Sequence, residues 1–146
     1  MTTVRQVLNQ KSKDIYSVEP QATILDALRL MAEKDIGAVL VIENDQVKGI
    51  FSERDYARRT RLKGKTSDAP VTEVMTRTVY YISPDDTMDV CMAQMTDKHI
   101  RHLPVVEKGK VVGVISIGDV VKAIITNQKS LIEGLQNYIM GTETQL

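Results

Sequence analysis

The chain has 146 residues, of which 42% are hydrophobic, and its formal net charge is zero because Lys plus Arg and Asp plus Glu both number 19. This length fits one compact domain or two small, tightly joined ones. The charge balance argues against a general nucleic-acid-binding protein, which normally carries a positive excess. Cys91 is the only cysteine, which excludes an internal disulfide and a cysteine-based zinc cluster and is typical of a reducing compartment.

No targeting or membrane segment is predicted. The first residues are polar and are not followed by the apolar core of a signal peptide. The apolar runs, such as Ala38–Ile42, are far shorter than the ~20 residues that a membrane-spanning helix needs. We therefore expect a cytoplasmic protein that does not bind membranes.

The first predicted elements are helical. A short helical segment carries Val4, Val7 and Leu8. An amphipathic helix of about three turns follows, since Ile24 and Met31 belong to a stripe of apolar residues at helical spacing. Thr23, just before this helix, is predicted to be its N-cap.

A β-hairpin and a second helix come next. Ala38–Ile42 is a continuous apolar run and predicts a buried strand, and Val47–Phe51 predicts the returning strand. The four residues between them, 43–46, are typical of a hairpin turn. Ser52 then begins a predicted helix over Glu53–Thr60 with a Ser-x-x-Asp capping pattern.

This whole unit occurs twice. Residues Ile15 to Arg59 recur without a gap at Val79 to Ala123, and the shift from Pro20 to Pro84 is 64 positions. Identical pairs include Thr23/Thr87, Gly49/Gly113, Ser52/Ser116 and Asp55/Asp119. The repeat predicts two copies of one α/β unit that are related by a pseudo-twofold axis and fold as one module.

The predicted boundaries are 4–66 for the first repeat and 71–127 for the second, with a polar linker at Arg61–Pro70. The second repeat ends in a predicted helix over Ile117–Thr126. Residues 128–146 are predicted to form a C-terminal helix and tail. Its apolar stripe consists of Leu131, Ile132, Leu135, Tyr138 and Ile139. Such a stripe must pack on the module or on another chain.

Both repeats contain the pattern Gly-hydrophobic-hydrophobic-Ser-x-x-Asp, at Gly49–Asp55 and at Gly113–Asp119. Together with Arg101–Val105 and Val71–Met75, these motifs make the chain resemble a tandem pair of cystathionine-β-synthase (CBS) domains, called a Bateman module. The resemblance extends from Val4 to Thr126 and is closest to free-standing bacterial proteins. It implies an α/β fold of two pseudo-twofold-related β-α-β-β-α repeats, here followed by a C-terminal helix.

The resemblance also implies a function. Proteins of this family bind adenine-containing ligands, of which AMP is favoured here and ATP, ADP, NAD and S-adenosylmethionine are alternatives. The module would be a non-catalytic sensor that needs no metal and changes conformation or assembly when the ligand binds. It is expected to pair with a second module into a flat homodimeric disc and to act on a target protein that the sequence does not name.

The Ser-x-x-Asp pattern gives this expectation a physical basis. Ser52 and Ser116 stand where a strand ends and a helix begins, and free N–H groups at a helix start can hold a phosphate. Asp55 and Asp119 lie one turn further, and a carboxylate can accept hydrogen bonds from ribose hydroxyls. In the family the equivalent Asp contacts ribose. The same pattern is also sufficient as a helix cap without any ligand.

The two predicted sites are not equivalent. The candidate ligand-binding residues of the first repeat are Thr23, Gly37, Ala38, Val39, Ser52, Arg54 and Asp55. Those of the second are Thr87, Arg101, His102, Leu103, Pro104, Ser116, Gly118 and Asp119. Arg54 corresponds to Gly118, whereas Arg101 corresponds to Gly37. We predict that both arginines neutralise phosphate and that the sites differ in affinity; the alternative is that both are solvated surface residues.

Two other functions remain open. A ligand-independent interaction module would dimerise through its helices and dock a target through the C-terminal stripe. A nucleotide-hydrolysing enzyme would need a base or a metal near the phosphate, for which Glu53, His99 and His102 are the only loose candidates. Because no third ligand lies at metal spacing and no catalytic triad is evident, we expect neither catalysis nor a metal. Few aromatic residues are available for stacking, so nucleic acid is not an expected partner.

Overall fold

The computed structural model describes residues 1–11 and 14–144, with side chains up to Met140. The chain forms two compact units. One unit, Asp14–Tyr80, contains Asp55 and is called the Asp55 unit below. The other, called the Asp119 unit, combines Met1–Lys13 with Tyr81–Leu146. The first residues of the chain therefore pack with the second repeat.

The Asp55 unit is a three-stranded sheet with one long helix. Its strands are β1 (Ser17–Val18), β2 (Ala38–Glu43) and β3 (Gln46–Ser52), and its helices are α2 (Ile24–Lys34) and α3 (Glu53–Asp55), which continues as a π-helix over Tyr56–Arg61. β1 pairs with β2 in parallel, and β2 pairs with β3 antiparallel. A 3₁₀ turn at Val71–Glu73 completes the unit.

The Asp119 unit has the same hairpin and a much longer last helix. Its elements are α1 (Val4–Gln10), α4 (Met88–Lys98), β4 (His102–Glu107), β5 (Lys110–Ser116) and α5 (Ile117–Thr144). β4 and β5 pair antiparallel. Ile82 bridges to Val105 in parallel, in the place that β1 occupies in the other unit.

Both hairpins close through a two-residue turn with left-handed backbone. Asn44 and Asp45 have φ values of 52° and 62°, and Lys108 and Gly109 have values of 53° and 77°. Positive φ at both central residues matches the right-handed twist of the flanking strands, which explains why Asn, Asp and Gly occur here. The predicted hairpins are confirmed.

The core of the Asp55 unit includes the segment that opens the second repeat. Buried residues of this core come from α2, from the hairpin and from that segment, and are Ile24, Ala27, Met31, Val39, Val41, Phe51, Val71, Val74 and Met75. In the Asp119 unit, α1 packs in the equivalent place and buries Val4, Val7 and Leu8. The ranges 4–66 and 71–127 follow the order of the repeats along the chain. In the structure, the segment that begins each repeat, Val4–Gln10 or Val71–Met75, packs in the unit of the other repeat. We call these two segments the opening segments.

The duplicated motif glycine makes room for this exchange. A Cβ at Gly49 would lie 2.7 Å from Met75 Sδ and 2.8 Å from the Thr76 carbonyl oxygen. A Cβ at Gly113 would lie 2.7 Å from Leu8 Cδ2. The absence of a side chain at these positions allows each opening segment to approach the hairpin closely.

Two helix predictions need correction. The helix expected at Glu53–Thr60 begins as an α-helix but continues as a π-helix through Arg61. The C-terminal helix is confirmed, but it continues the helix expected at Ile117–Thr126 without a break, so both form one helix, α5, which extends to Thr144. The last two residues of the predicted C-terminal helix lie outside the described residues. Within the described part of the chain, no helix is both long and apolar enough to cross a membrane.

Candidate functional site

Both Ser-x-x-Asp motifs form reciprocal caps at a helix start. Ser52 Oγ accepts a hydrogen bond from the Asp55 N–H at 3.2 Å, and the Ser52 N–H donates to Asp55 Oδ2 at 3.0 Å. Ser116 and Asp119 make the same pair of bonds, at 3.1 and 2.9 Å. The capping interpretation is therefore confirmed in both repeats, with Asp replacing the usual Glu of a capping box.

The segments predicted to edge the adenine lie beside these caps. Ala38 pairs with Ser52 across the first hairpin, and His102 pairs with Ser116 across the second. The Gly37 carbonyl accepts a hydrogen bond from the first N–H of α3, at 3.0 Å. The next candidates along the strands are Val39, Leu103 and Pro104, whose partners are Phe51, Ile115 and Val114.

The second hairpin makes the same connection, because the Arg101 carbonyl accepts from the Ile117 N–H at 2.8 Å. At each helix start, the first and third N–H groups are therefore already engaged, by a carbonyl oxygen and by the cap serine. Fewer N–H donors remain for a phosphate than the sequence-based expectation assumed. A phosphate at this place needs additional positive charge from side chains.

Asp55 is held on both carboxylate oxygens. Oδ2 accepts hydrogen bonds from the N–H and the hydroxyl of Ser52, the latter at 3.1 Å. Oδ1 accepts a hydrogen bond from the Thr76 hydroxyl at 2.9 Å, and Arg59 Nε lies 3.9 Å away. Only 9% of the residue is exposed. Asp55 has little capacity left for a ligand.

Asp119 is engaged on one oxygen only. Its Oδ2 accepts hydrogen bonds from the Ser116 N–H at 2.9 Å and from Lys11 Nζ at 2.8 Å. None of the hydrogen bonds that the described residues make to this carboxylate ends on Oδ1. The Asp119 side chain is 22% exposed, compared with 11% for Asp55. Asp119 thus retains an acceptor atom without a described hydrogen bond, on a side chain that is partly exposed.

The pKa of Asp119 determines whether its carboxyl group is charged at neutral pH. Burial favours the neutral acid and would raise this pKa, but the hydrogen bonds from Lys11 and Ser116 more than offset that effect. The pKa of Asp119 therefore lies below its ordinary value. At neutral pH the group is an ionised carboxylate, which only accepts hydrogen bonds, as a pair of ribose hydroxyls requires.

Lys11 and Thr76 were not among the predicted site residues. Lys11 follows the opening segment of the first repeat and contacts Asp119 of the second repeat. Thr76 follows the opening segment of the second repeat and contacts Asp55 of the first. Lys11 Nζ also donates to the Val114 carbonyl oxygen at 3.0 Å, which fixes the end of its side chain. Lys11 lies three residues after Leu8, whereas Thr76 directly follows Met75, so an alignment of the two segments does not pair these residues and gives no signal for them.

The remaining candidates are more dispersed. Thr23 and Thr87 are N-caps of α2 and α4, accepting from backbone N–H groups at 3.1 and 3.4 Å, and their described contacts do not reach either Ser-x-x-Asp motif. Arg54 is half-buried, whereas Arg101 and Gly118 are exposed. Arg54 and Arg101 thus lie next to their respective caps, one in a helix and one before a strand.

The histidines lie apart from any candidate metal-binding group in the described part of the chain. His99 is exposed at the end of α4, where its φ is 55°, while His102 lies in β4. Among residues 1–11 and 14–144, no three His, Cys, Asp or Glu side chains are grouped so that they could hold a metal ion.

Comparison with known proteins identifies the family. A family model described as "CBS domain" matches residues 4–61 and again residues 71–126. The chain belongs to the CBS domain family. This CBS pair is 47% identical to a putative signal-transduction protein with CBS domains from Burkholderia ambifaria, with a TM-score of 0.84 over 87% of this chain and 96% of that one.

Two more distant solved structures share the fold. A CBS domain protein from Pyrobaculum aerophilum complexed with AMP is 24% identical, with a TM-score of 0.71 over 80% of this chain and 88% of that one. The CBS domain pair of protein MJ0100, in complex with 5′-methylthioadenosine and S-adenosyl-L-methionine, is 22% identical, with a TM-score of 0.75 over 87% and 98%.

Proposed function

We propose that this CBS pair is a non-catalytic regulatory module that binds an adenine nucleotide, with AMP as the favoured ligand. The observation that carries the proposal is the Asp119 carboxylate, which is fixed by a cap, is ionised at neutral pH, and accepts its described hydrogen bonds on Oδ2 rather than on Oδ1. The AMP and S-adenosylmethionine complexes of the two distant relatives support the class of ligand. ATP, ADP and NAD remain alternatives within the same class.

The ligand would lie at the start of α5. The ribose hydroxyls donate to Asp119 Oδ1, and the main chain of His102, Leu103 and Pro104 edges the adenine. Lys11 and Arg101 are the cations of this unit that would meet the phosphate. Lys11 Nζ lies 2.8 Å from Asp119 Oδ2, so its ammonium group is next to the carboxylate that would bind the ribose.

The Asp55 site would be the weaker of the two. Its aspartate already accepts three hydrogen bonds, from Ser52 and Thr76, of the about four that a carboxylate can accept. A ribose that donates both of its hydroxyls must therefore displace one of them. Gly37, Ala38 and Val39 would still offer a main-chain edge for adenine, and Arg54 a cation near the phosphate. If the two sites differ in affinity, the module can respond to ligand at the tighter site at concentrations that leave the weaker site empty.

The continuity of α5 supports a regulatory role, because this helix connects Asp119 with an exposed apolar surface. The helix begins directly after Ser116, contains Asp119 in its first turn, and runs without a break to Thr144. Its C-terminal half exposes apolar residues, from Leu131 to Met140. A ligand at the start of the helix can therefore bias the contacts that this surface makes with another chain, provided that it binds one arrangement better than the other.

Isothermal titration calorimetry with AMP, ATP, NAD and S-adenosylmethionine tests the proposal. We expect saturable heat for AMP, with one site clearly tighter than the other. Asp119→Asn keeps the side-chain shape but removes the charge, so it should weaken the tighter site at least about tenfold, since a hydrogen bond to a charged group contributes roughly 1.5–3 kcal/mol.

Asp55→Asn is the matched control, because it makes the same chemical change in the equivalent cap. It should leave the tighter site unchanged. Circular dichroism verifies that both variants fold. The absence of heat with all four ligands from folded, nucleotide-free protein would remove the proposal, and an equal loss in both variants would refute the ranking of the two sites.

A further inference from the structure

α5 exposes two apolar stretches, which are separated by the polar residues 126–130. The large apolar residues of these stretches are 40–75% exposed: Val121 and Ile125 in the first, and Leu131, Ile132, Leu135, Tyr138 and Ile139 in the second. α5 has 28 residues and is therefore about 42 Å long, and its first part packs on its own unit through the buried Val120. Contiguous exposed apolar surface of this kind marks an interaction site.

The spacing of these residues identifies the shape of the partner. Positions 121, 124, 128, 131, 135 and 138 alternate in steps of three and four residues, which is the a/d pattern of a heptad repeat over three heptads. We call these six positions the seam. Ile125, Ile132 and Ile139 flank it at the e positions. A seam with a seven-residue period fits another helix of the same period.

The surface is large enough for a specific contact. Burial of one large aliphatic side chain removes roughly 60–120 Å² from water, so these half-exposed residues amount to several hundred Å² per copy. Two such surfaces together reach the order of 1,000 Å² that a specific interface requires. A helix pair from two chains therefore suffices without a further apolar surface.

The polar residue in the seam favours a second copy of this chain. Gln128 occupies an a position among aliphatic neighbours. In a parallel, in-register pair it meets Gln128 of the second copy, and the two amides can hydrogen-bond to each other. The flanking positions carry no charge, so identical chains do not repel each other along the seam. The charged residues nearby, Lys129 and Glu133, lie at outer positions.

Gly134 gives a second, independent indication. It stands in the middle of an exposed helix, where glycine destabilises the helix relative to alanine. No heavy atom lies within 4 Å of the position of a Cβ at Gly134, so its own chain does not require the glycine. In a parallel pair, a g position faces the e position of the next heptad, which places Ile139 of one copy over Gly134 of the other.

We propose that α5 pairs in parallel and in register with α5 of a second copy along the seam from Val121 to Tyr138. The pairing buries the aliphatic residues, joins the two Gln128 side chains and seats each Ile139 against Gly134 of the second copy. It requires no nucleotide and is independent of the proposed ligand.

Single-cysteine cross-linking of the full-length chain tests the orientation. Gln128→Cys and Leu135→Cys are each oxidised with a mild disulfide catalyst; Cys91 is fully buried and does not interfere. A parallel, in-register pair links each variant to itself, whereas an antiparallel pair can bring only one of the two positions together. Asn137→Cys, at an outer position, is the control. Cross-linking at 128 and 135 but not at 137 is expected; any other pattern overturns the proposal.

Sedimentation equilibrium at micromolar concentration tests the energetics. Leu131 and Met140 are both 64% exposed on the same helix, but only Leu131 lies in the seam. Leu131→Glu should raise the dissociation constant of the dimer at least tenfold, and Met140→Glu should leave it unchanged. Equal effects of the two variants, or a monomeric wild-type chain, would overturn the pairing. AMP calorimetry on Leu131→Glu shows separately whether the nucleotide proposal holds.

Discussion

Gly49→Ala should be strongly destabilising because of the exchanged opening segment. The new Cβ would lie 2.8 Å from the carbonyl oxygen of Thr76, and this backbone is fixed by two hydrogen bonds with Ile50, at 2.9 and 2.8 Å. The segment cannot move without weakening that pairing. We expect a loss near the upper end of the range for overpacking, about 3 kcal/mol. For a chain of this length that corresponds to a fall in Tm of roughly 6–12 °C.

Two further glycines provide matched comparisons. At Gly113 the close neighbour is the flexible end of Leu8, so Gly113→Ala should cost less, about 1–2 kcal/mol. At Gly118 the nearest heavy atom is Ser116 Oγ at 3.6 Å, an ordinary contact, so Gly118→Ala should be neutral or stabilise by up to about 1 kcal/mol. Urea unfolding followed by circular dichroism measures all three. A Gly49→Ala variant as stable as Gly113→Ala would refute the account of the motif glycine.

Three other variants or measurements follow from particular contacts. Lys11→Met should cost no more than about 1 kcal/mol, since its ion pair with Asp119 is partly exposed. The pKa of Asp119 is lower in the folded chain than its ordinary value of 3.8, so the ion pair contributes its full stabilisation above pH 3.8. This stabilisation is lost as the pH falls through the pKa of the folded chain. Acid unfolding curves of Lys11→Met should lack this pH-dependent loss of stability. Burial, and to a smaller extent Asp86, raises the pKa of Cys91 to about 11, so alkylation at pH 8 should be at least about 100-fold slower in the folded chain than in urea, and equal rates would contradict the burial. Gly134→Leu should improve the intrinsic helix propensity and yet weaken self-association in sedimentation, and tighter association would contradict the seating of Ile139.

Local signals in the sequence were sufficient for much of the fold. The hairpin turns were predictable because left-handed backbone selects residues such as Asn44, Asp45 and Gly109. The caps at Ser52 and Ser116 were predictable because their hydrogen bonds join residues only three positions apart. Interactions of this range leave a pattern in consecutive residues.

The exchange of the opening segments leaves no such pattern. Lys11 and Asp119 are 108 positions apart, and Thr76 and Asp55 are 21 apart, so neither pair follows from spacing. The repeat itself favoured an assignment in which each segment belongs to the copy that it precedes. The difference in hydrogen bonding between the two aspartates depends on this exchange. The sequence alone therefore predicted a difference in affinity only from Arg54 and Arg101, and it did not rank the two candidate sites.

The continuity of α5 was missed for a different reason. The polar residues 126–130 separate two apolar stretches and resemble a connection between helices. They contain neither Pro nor Gly, however, and nothing in them ends a helix once it has begun. The stretch that was expected to divide two helices is an exposed part of one.

The most direct test of the account is a thermodynamic cycle between the ribose hydroxyls and Asp119. Affinities for AMP and for 2′,3′-dideoxy-AMP are measured by calorimetry on the wild-type chain and on Asp119→Asn. If the hydroxyls donate to this carboxylate, the wild-type chain should lose about tenfold or more in affinity for the dideoxy compound. Asp119→Asn should lose clearly less, because its neutral amide forms weaker hydrogen bonds with the hydroxyls. A loss of the same size in both proteins would show that the ribose lies elsewhere and would contradict the proposed site.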